Sequence, residues 1–137
     1  MASRDLKGLL PVVEGKARVF LAECKKAGID VLIYCTYRSP KEQDELYAIG
    51  RTLPGKKVTN AKGGESWHNY HAAFDFVPLL NGKPQWGDAK LYERCGIIAE
   101  NCGFEWAGRW VKFKETAHCQ YRGGLTLAQA SSGETII

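Results

Sequence analysis

At 137 residues, with 25% charged and 45% hydrophobic residues, the chain has the size and balance of a single domain, residues 1–137, which excludes disorder and a fibrous architecture. No window approaches the roughly 18 apolar residues of a membrane span, and the start MASRDLKGLLPVVEGK lacks the apolar stretch of a signal peptide, so a cytosolic product without stable membrane insertion is expected. The net charge of +4 comes from Lys and Arg scattered among acids, a weak pull toward a polyanion that suits a negatively charged cell wall as well as a nucleic acid.

The pattern from about Asp5 to Ala27 predicts a helix interrupted at Pro11, with Val12, Val13, Ala17, Phe20, Leu21 and Cys24 on one apolar face and Gly28 ending it. Ile29 to Thr36 reads as a buried strand, and Ser39-Pro40 opens a second helix that runs to about Ile49 and stops at Gly50. From Arg51 to Glu65 the chain is rich in Gly, Lys, Thr and Asn; a loop of about fifteen residues in a compact domain is more often functional than not. A strand at Ala72 to Pro78, a turn at Asn81-Gly82 and a helix from about Ala89 to Cys102 follow, with Gly103 as cap. Phe104 to Trp106, Val111 to Phe113 and His118 to Tyr121 read as short strands, and the polar tail after Arg122 carries little signal. The fold class that results is α+β, helices packed on a small antiparallel sheet.

Five cysteines (Cys24, Cys35, Cys95, Cys102, Cys119) form an odd set without a Cys-x-x-Cys pair, which fits buried free thiols better than a disulfide frame or a zinc knuckle. The three histidines carry more information. His68 and His71 lie in Ser66-Trp67-His68-Asn69-Tyr70-His71-Ala72-Ala73-Phe74-Asp75, and the third ends Glu115-Thr116-Ala117-His118. Imidazole nitrogens and a carboxylate suit a zinc ion that keeps one position for water, and such an ion acidifies that water for a nearby carboxylate to deprotonate. Glu115 stands where such a carboxylate is needed. Spacing alone leaves the metal site open, because scattered histidines are commonly ordinary surface or core residues. Asp75 lies seven positions after His68, an odd spacing, so an unbroken strand would point them to opposite faces and a turn near Asn69 and Tyr70 must intervene if both bind one ion.

Ser66-x-His68-x6-Asp75 together with Glu115-x-x-His118, preceded by Thr36-Tyr37-Arg38-Ser39 and Glu42-Gln43-x-x-Leu46-Tyr47, resembles the D-Ala-D-Ala carboxypeptidase and L-alanyl-D-glutamate endopeptidase family of zinc peptidases, in particular its phage endolysin branch. The resemblance runs in order from about Leu6 to Tyr121. It implies the Hedgehog and D,D-peptidase type of zinc peptidase fold, with Zn2+ held by His68, Asp75 and His118 and with Glu115 as general base. It also implies that Arg38 binds substrate and stabilises the developing oxyanion, for which a permanently charged planar donor is suited. Ser66 matches a family serine whose hydroxyl could support the metal shell or the substrate, or simply cap a turn. The implied partners are the stem peptides of bacterial peptidoglycan, with no nucleic acid. The implied setting is a monomeric enzyme made in a host cytoplasm that reaches the wall after the membrane is permeabilised, with no separate wall-binding domain.

Two departures from the family pattern stand out. His71 replaces a usual Gly, and His68 is favoured as the ligand because it keeps the spacing to Ser66 and Asp75. Arg109, in Trp106-Ala107-Gly108-Arg109-Trp110, stands where an acid is common. Trp67, Trp106 and Trp110 could line the cleft or fill the core. Other readings of the chain are a D,D-carboxypeptidase trimming terminal D-Ala, a non-catalytic zinc-containing module, which Glu115 and Arg38 argue against, and a Cys-His hydrolase using Cys35 or Cys119.

Overall fold

A computed structural model describes residues 2–137. The first helical stretch is split where Pro11 lacks an amide proton: a 3-10 turn at Leu6–Gly8, then α1 over Pro11–Lys26 with proline in its first turn. Val13, Ala17, Phe20 and Cys24 form its buried stripe, and Gly28 (φ +80°) takes the left-handed step after it. Strand β1 (Asp30–Cys35) follows, then α2 (Pro40–Ala48), opened by a reciprocal cap in which Ser39 Oγ accepts from the Glu42 amide and Glu42 accepts from the Ser39 amide.

The long central strand β2 (Ala73–Leu80) turns at Asn81 and Gly82, both with positive φ, into the two-residue β3 (Lys83–Pro84). Then come α3 (Ala89–Asn101), β4 (Glu105–Trp106), β5 (His118–Gln120) and α4 (Leu127–Ser131). The strands pair antiparallel in the order β1-β2-β5-β4 with β3 beside β2. One face of β2 supplies Phe74 and Phe76, which pack on Phe20 of α1 with ring centroids 5.3 and 5.5 Å apart. Phe104 and Tyr92 complete this aromatic core. The other face of β2 carries Asp75. α3 is locked to the sheet by Gly96, where any Cβ would fall 2.2 Å from the Trp106 ring.

Two expectations need correction. Val111 to Phe113 is a bend and not a strand: Val111 is 98% exposed and Phe113 has φ +50°, so the β-forming side chains there have no strand to pair with. The tail does carry structure, because Thr126 and Gln129 cap each other across the start of α4, and Ala130 and Ile136 are buried. No cysteine is bonded to another; four are buried and Cys102 is half-buried. Among the described residues no helix is long and apolar enough to cross a membrane.

Candidate metal centre and active site

His68 rides on a 3-10 turn, Trp67–Tyr70, that supplies the break the odd spacing demands. Ser66 Oγ accepts from the His68 amide at 3.3 Å, and Asn69 Oδ1 accepts from the Ser66 amide, also at 3.3 Å. His71 closes the turn in the left-handed conformation, φ +58°. Asn69 Nδ2 donates to the Arg38 carbonyl at 2.8 Å, which ties the turn to the end of β1. Across the sheet Asp75 of β2 pairs in register with His118 of β5, while Cys35 faces Asp75 from β1, after an irregularity between Ile33 and Cys35.

These elements bring His68, Asp75 and His118 together. Asp75 Oδ1 lies 3.2 Å from His68 Nε2 and 3.2 Å from His118 Nδ1. A tetrahedral ion with bonds of about 2.0–2.1 Å sets its donor atoms about 3.3 Å apart, close to the separation of the Asp75 oxygen from each imidazole nitrogen. The far nitrogen of each ring is engaged by an acceptor: His68 Nδ1 with the Thr36 carbonyl at 2.8 Å and His118 Nε2 with Gln120 Oε1 at 2.9 Å. In a neutral ring the proton then sits on the far nitrogen and the lone pair points at Asp75, the arrangement a metal ligand requires. The donor set therefore fits zinc. Cys35 Sγ, a His68 nitrogen and an Asp75 oxygen also lie within 4.8 Å of one another. The thiol is 3.8 Å from Nδ1, the nitrogen that faces the Thr36 carbonyl.

Charge couples the groups. Burial pulls the His68 imidazolium down, but the Asp75 carboxylate outweighs this and holds it at about 10. Burial likewise works to raise Asp75, and the two imidazoles override it and drive the carboxyl far below its ordinary range. Arg38 joins from the β1–α2 connection: one guanidinium nitrogen donates to Gln43 Oε1 at 3.0 Å, and the other is 3.6 Å from Asp75 Oδ2 and 3.4 Å from Cys35 Sγ. Gln43, fully buried on α2, also donates to the Ala61 carbonyl at 2.8 Å, so one amide positions both Arg38 and the loop before Ser66.

Glu115 enters from the opposite wall, with its amide on the Ala107 carbonyl and its carbonyl accepting from the His118 amide, each at 3.2 Å. Its carboxyl lines a cleft of about 720 Å³ together with His68, Asp75, His118 and Arg38. Burial raises its pKa; His118 opposes the rise and Asp75 adds to it.

The remaining residues of interest divide cleanly. Ser66 lines the cleft and also caps the turn that carries His68. His71 faces the N-terminal segment, its Nδ1 2.7 Å from the Gly8 carbonyl and its ring stacked on Tyr37 at 4.0 Å. Arg109 is ion-paired with Glu100 on the surface. Trp106 belongs to the core and Trp67 is nearly buried at the cleft floor, whereas Trp110 lines the cleft beside the His118 ring. Cys119 points into the core from the strand that carries His118. The positioning roles of Gln43, the Thr36 carbonyl and Gln120 were not read from sequence, and Cys35, a candidate nucleophile there, sits instead beside His68 and Arg38. Gln120 had a usable signal, since it lies two residues after His118 on a strand and so shares its face.

Comparison with known proteins gives the family. A family model described as D-alanyl-D-alanine carboxypeptidase matches residues 59–121, the span that holds His68, Asp75, Glu115 and His118. The peptidoglycan L-alanyl-D-glutamate endopeptidase CwlK of Bacillus subtilis (strain 168) is 41% identical over 127 residues, covering 82% of this chain and 72% of that protein. The L-alanyl-D-glutamate peptidase of Listeria phage A118 is 28% identical over 110 residues, 77% of this chain but 35% of that one. In three dimensions the chain resembles the L-Ala D-Glu endopeptidase ChiX of Serratia marcescens with a TM-score of 0.66 at 21% identity, covering 95% and 92% of the two chains. With identity of that order across most of both sequences and the shared fold, the chain belongs to the D-Ala-D-Ala carboxypeptidase and L-alanyl-D-glutamate endopeptidase family of metallopeptidases.

Proposed function

We propose that this protein is a zinc-dependent endopeptidase that hydrolyses the L-Ala-D-Glu bond of peptidoglycan stem peptides, as a single catalytic domain serving host lysis for a phage. The observation that carries the reading is the meeting of His68 Nε2 and His118 Nδ1 at one Asp75 oxygen, in a cleft that also holds Glu115 and Arg38. The identity to an enzyme named for the L-alanyl-D-glutamate bond supports the choice of bond, and the phage peptidase supports the lytic setting.

His68, Asp75 and His118 would hold the zinc, which when bound polarises the scissile carbonyl and acidifies water. Glu115, its pKa raised by burial, takes a proton from the attacking water on a carboxylate oxygen and hands it to the departing amine. Arg38 donates to the carbonyl oxygen as negative charge develops there; its link to Gln43 fixes the guanidinium before substrate arrives. Trp110 and Phe113 give the cleft apolar wall against the substrate's methyl and methylene groups.

Mass analysis of purified peptidoglycan after digestion tests the bond. The expected products carry a new free amino group on D-Glu and no new reducing sugar ends. Release of D-Ala alone would assign a D,D-carboxypeptidase, and reducing ends would overturn peptidase action.

A further inference from the structure

We propose that Gln120 and Glu105 form a polarity relay that fixes which nitrogen of His118 faces the metal, with Gln120 as a positioning residue and Glu105 as the group that sets its orientation. The relay starts at the surface. Arg122, which can only donate, binds Glu105 Oε1 through Nε at 2.7 Å and a second nitrogen at 2.6 Å. Glu105 Oε2, which can only accept, takes the Gln120 Nε2 proton at 2.9 Å. The Gln120 amide is thereby forced to turn its oxygen to His118 Nε2, also 2.9 Å away. That oxygen accepts only from N–H, so Nε2 must be the protonated nitrogen and Nδ1 keeps the lone pair aimed at the shell with His68 and Asp75.

The placement follows from the sheet. His118 and Gln120 share one face of β5, and Gln120 pairs in register with Glu105 of β4. Gln120 is buried, with 6% exposure, and Glu105 lies at the half-exposed edge. An isolated buried amide can flip and present its NH2 instead, which would leave the imidazole the wrong tautomer for binding through Nδ1. The carboxylate at the edge removes that freedom. The same logic holds His68 with a backbone carbonyl, which cannot flip; His118 is the ligand whose tautomer rests on side chains.

The relay rests on the assignment of His118 as a metal ligand, and its sharpest test changes a residue that touches neither the metal shell nor His118. In Glu105→Gln, Arg122 keeps the new amide oxygen and the new NH2 faces Gln120. Gln120 must then flip and present NH2 to His118, which drives the proton to Nδ1. Zinc affinity, measured by competition with a chromophoric chelator, should fall about 10- to 100-fold, as for loss of an outer-shell partner. Gln120→Leu should fall by a similar factor. The paired exchange Glu105→Gln with Gln120→Glu restores every donor and acceptor in the chain, so its affinity should return to within a few-fold of the native protein. Nitrogen-15 NMR of the zinc-loaded native protein should show a protected His118 Nε2–H. Native affinity in Glu105→Gln, or failure of the exchange to recover it, overturns the relay; absence of zinc binding in the native protein would instead overturn the metal reading beneath it.

Discussion

Glu115 is half-buried in a cleft that must also admit water, and that position sets a pH dependence. A general base works only when ionised, so kcat/KM should rise with pH through its pKa. Because burial raises that pKa, the rise should lie above the ordinary glutamate range near about 4.3. Glu115→Gln keeps the shape but cannot accept the proton, so it should keep one zinc per chain and lose ~10²- to 10⁴-fold in rate. Metal analysis beside a pH–rate profile checks both halves. Full zinc with near-native hydrolysis would exclude Glu115 as the base, and an empty site would make it a ligand. The chemistry-bearing residues were legible in the sequence because His is rare here and its spacings to Asp75 and Glu115 match a family. The roles of Gln43 and Gln120 were not, since buried amides are common in any core and the partners that orient them lie 5 and 15 residues away.

The turn from Ser66 to His71 converts an odd spacing into a convergent site, and His71 is the residue under strain in it. A non-glycine residue in the left-handed region costs on the order of 1 kcal/mol, offset here by the bond to the Gly8 carbonyl and the stack on Tyr37. His71→Ala keeps the strain and loses both contacts, so it should destabilise the fold by ~1–2 kcal/mol. His71→Gly loses the contacts but relieves the strain, and should be the milder change. Neither should alter zinc content. Denaturant midpoints and metal analysis give the answer, and an empty site in both variants would make His71 a ligand. The larger elements were readable from periodicity: α1, α2 and α3 fall within a few residues of expectation, as do β1 and β2. Val111 to Phe113 misled because β propensity has no effect without a partner strand. The five residues of α4 are too few to show a periodicity, although the Thr126 and Gln129 cap is present in the sequence.

Across the whole molecule, the metal site links pH, zinc and stability in a way that can be signed in advance. In the metal-free protein His68 is held up to about 10; a raised imidazole pKa contributes stability that is complete below about 6.5 and is lost as pH climbs through 10. Asp75 is depressed, so its contribution is present above about 3.9 and fades only in acid. The metal-free protein should therefore weaken steadily from pH 6.5 upward. The loaded protein should escape this loss, because zinc must displace the His68 proton, and that competition eases as pH rises. Zinc at 100-fold its dissociation constant adds about 2.7 kcal/mol, which for a domain of this size raises Tm by about 10 °C. Thermal melts with zinc or with chelator at pH 6, 7 and 8.5 should then show a gap in Tm that widens with pH. A gap that stays constant or narrows would mean that zinc does not compete with the His68 proton, and the ligand set built on His68 Nε2 would have to be abandoned.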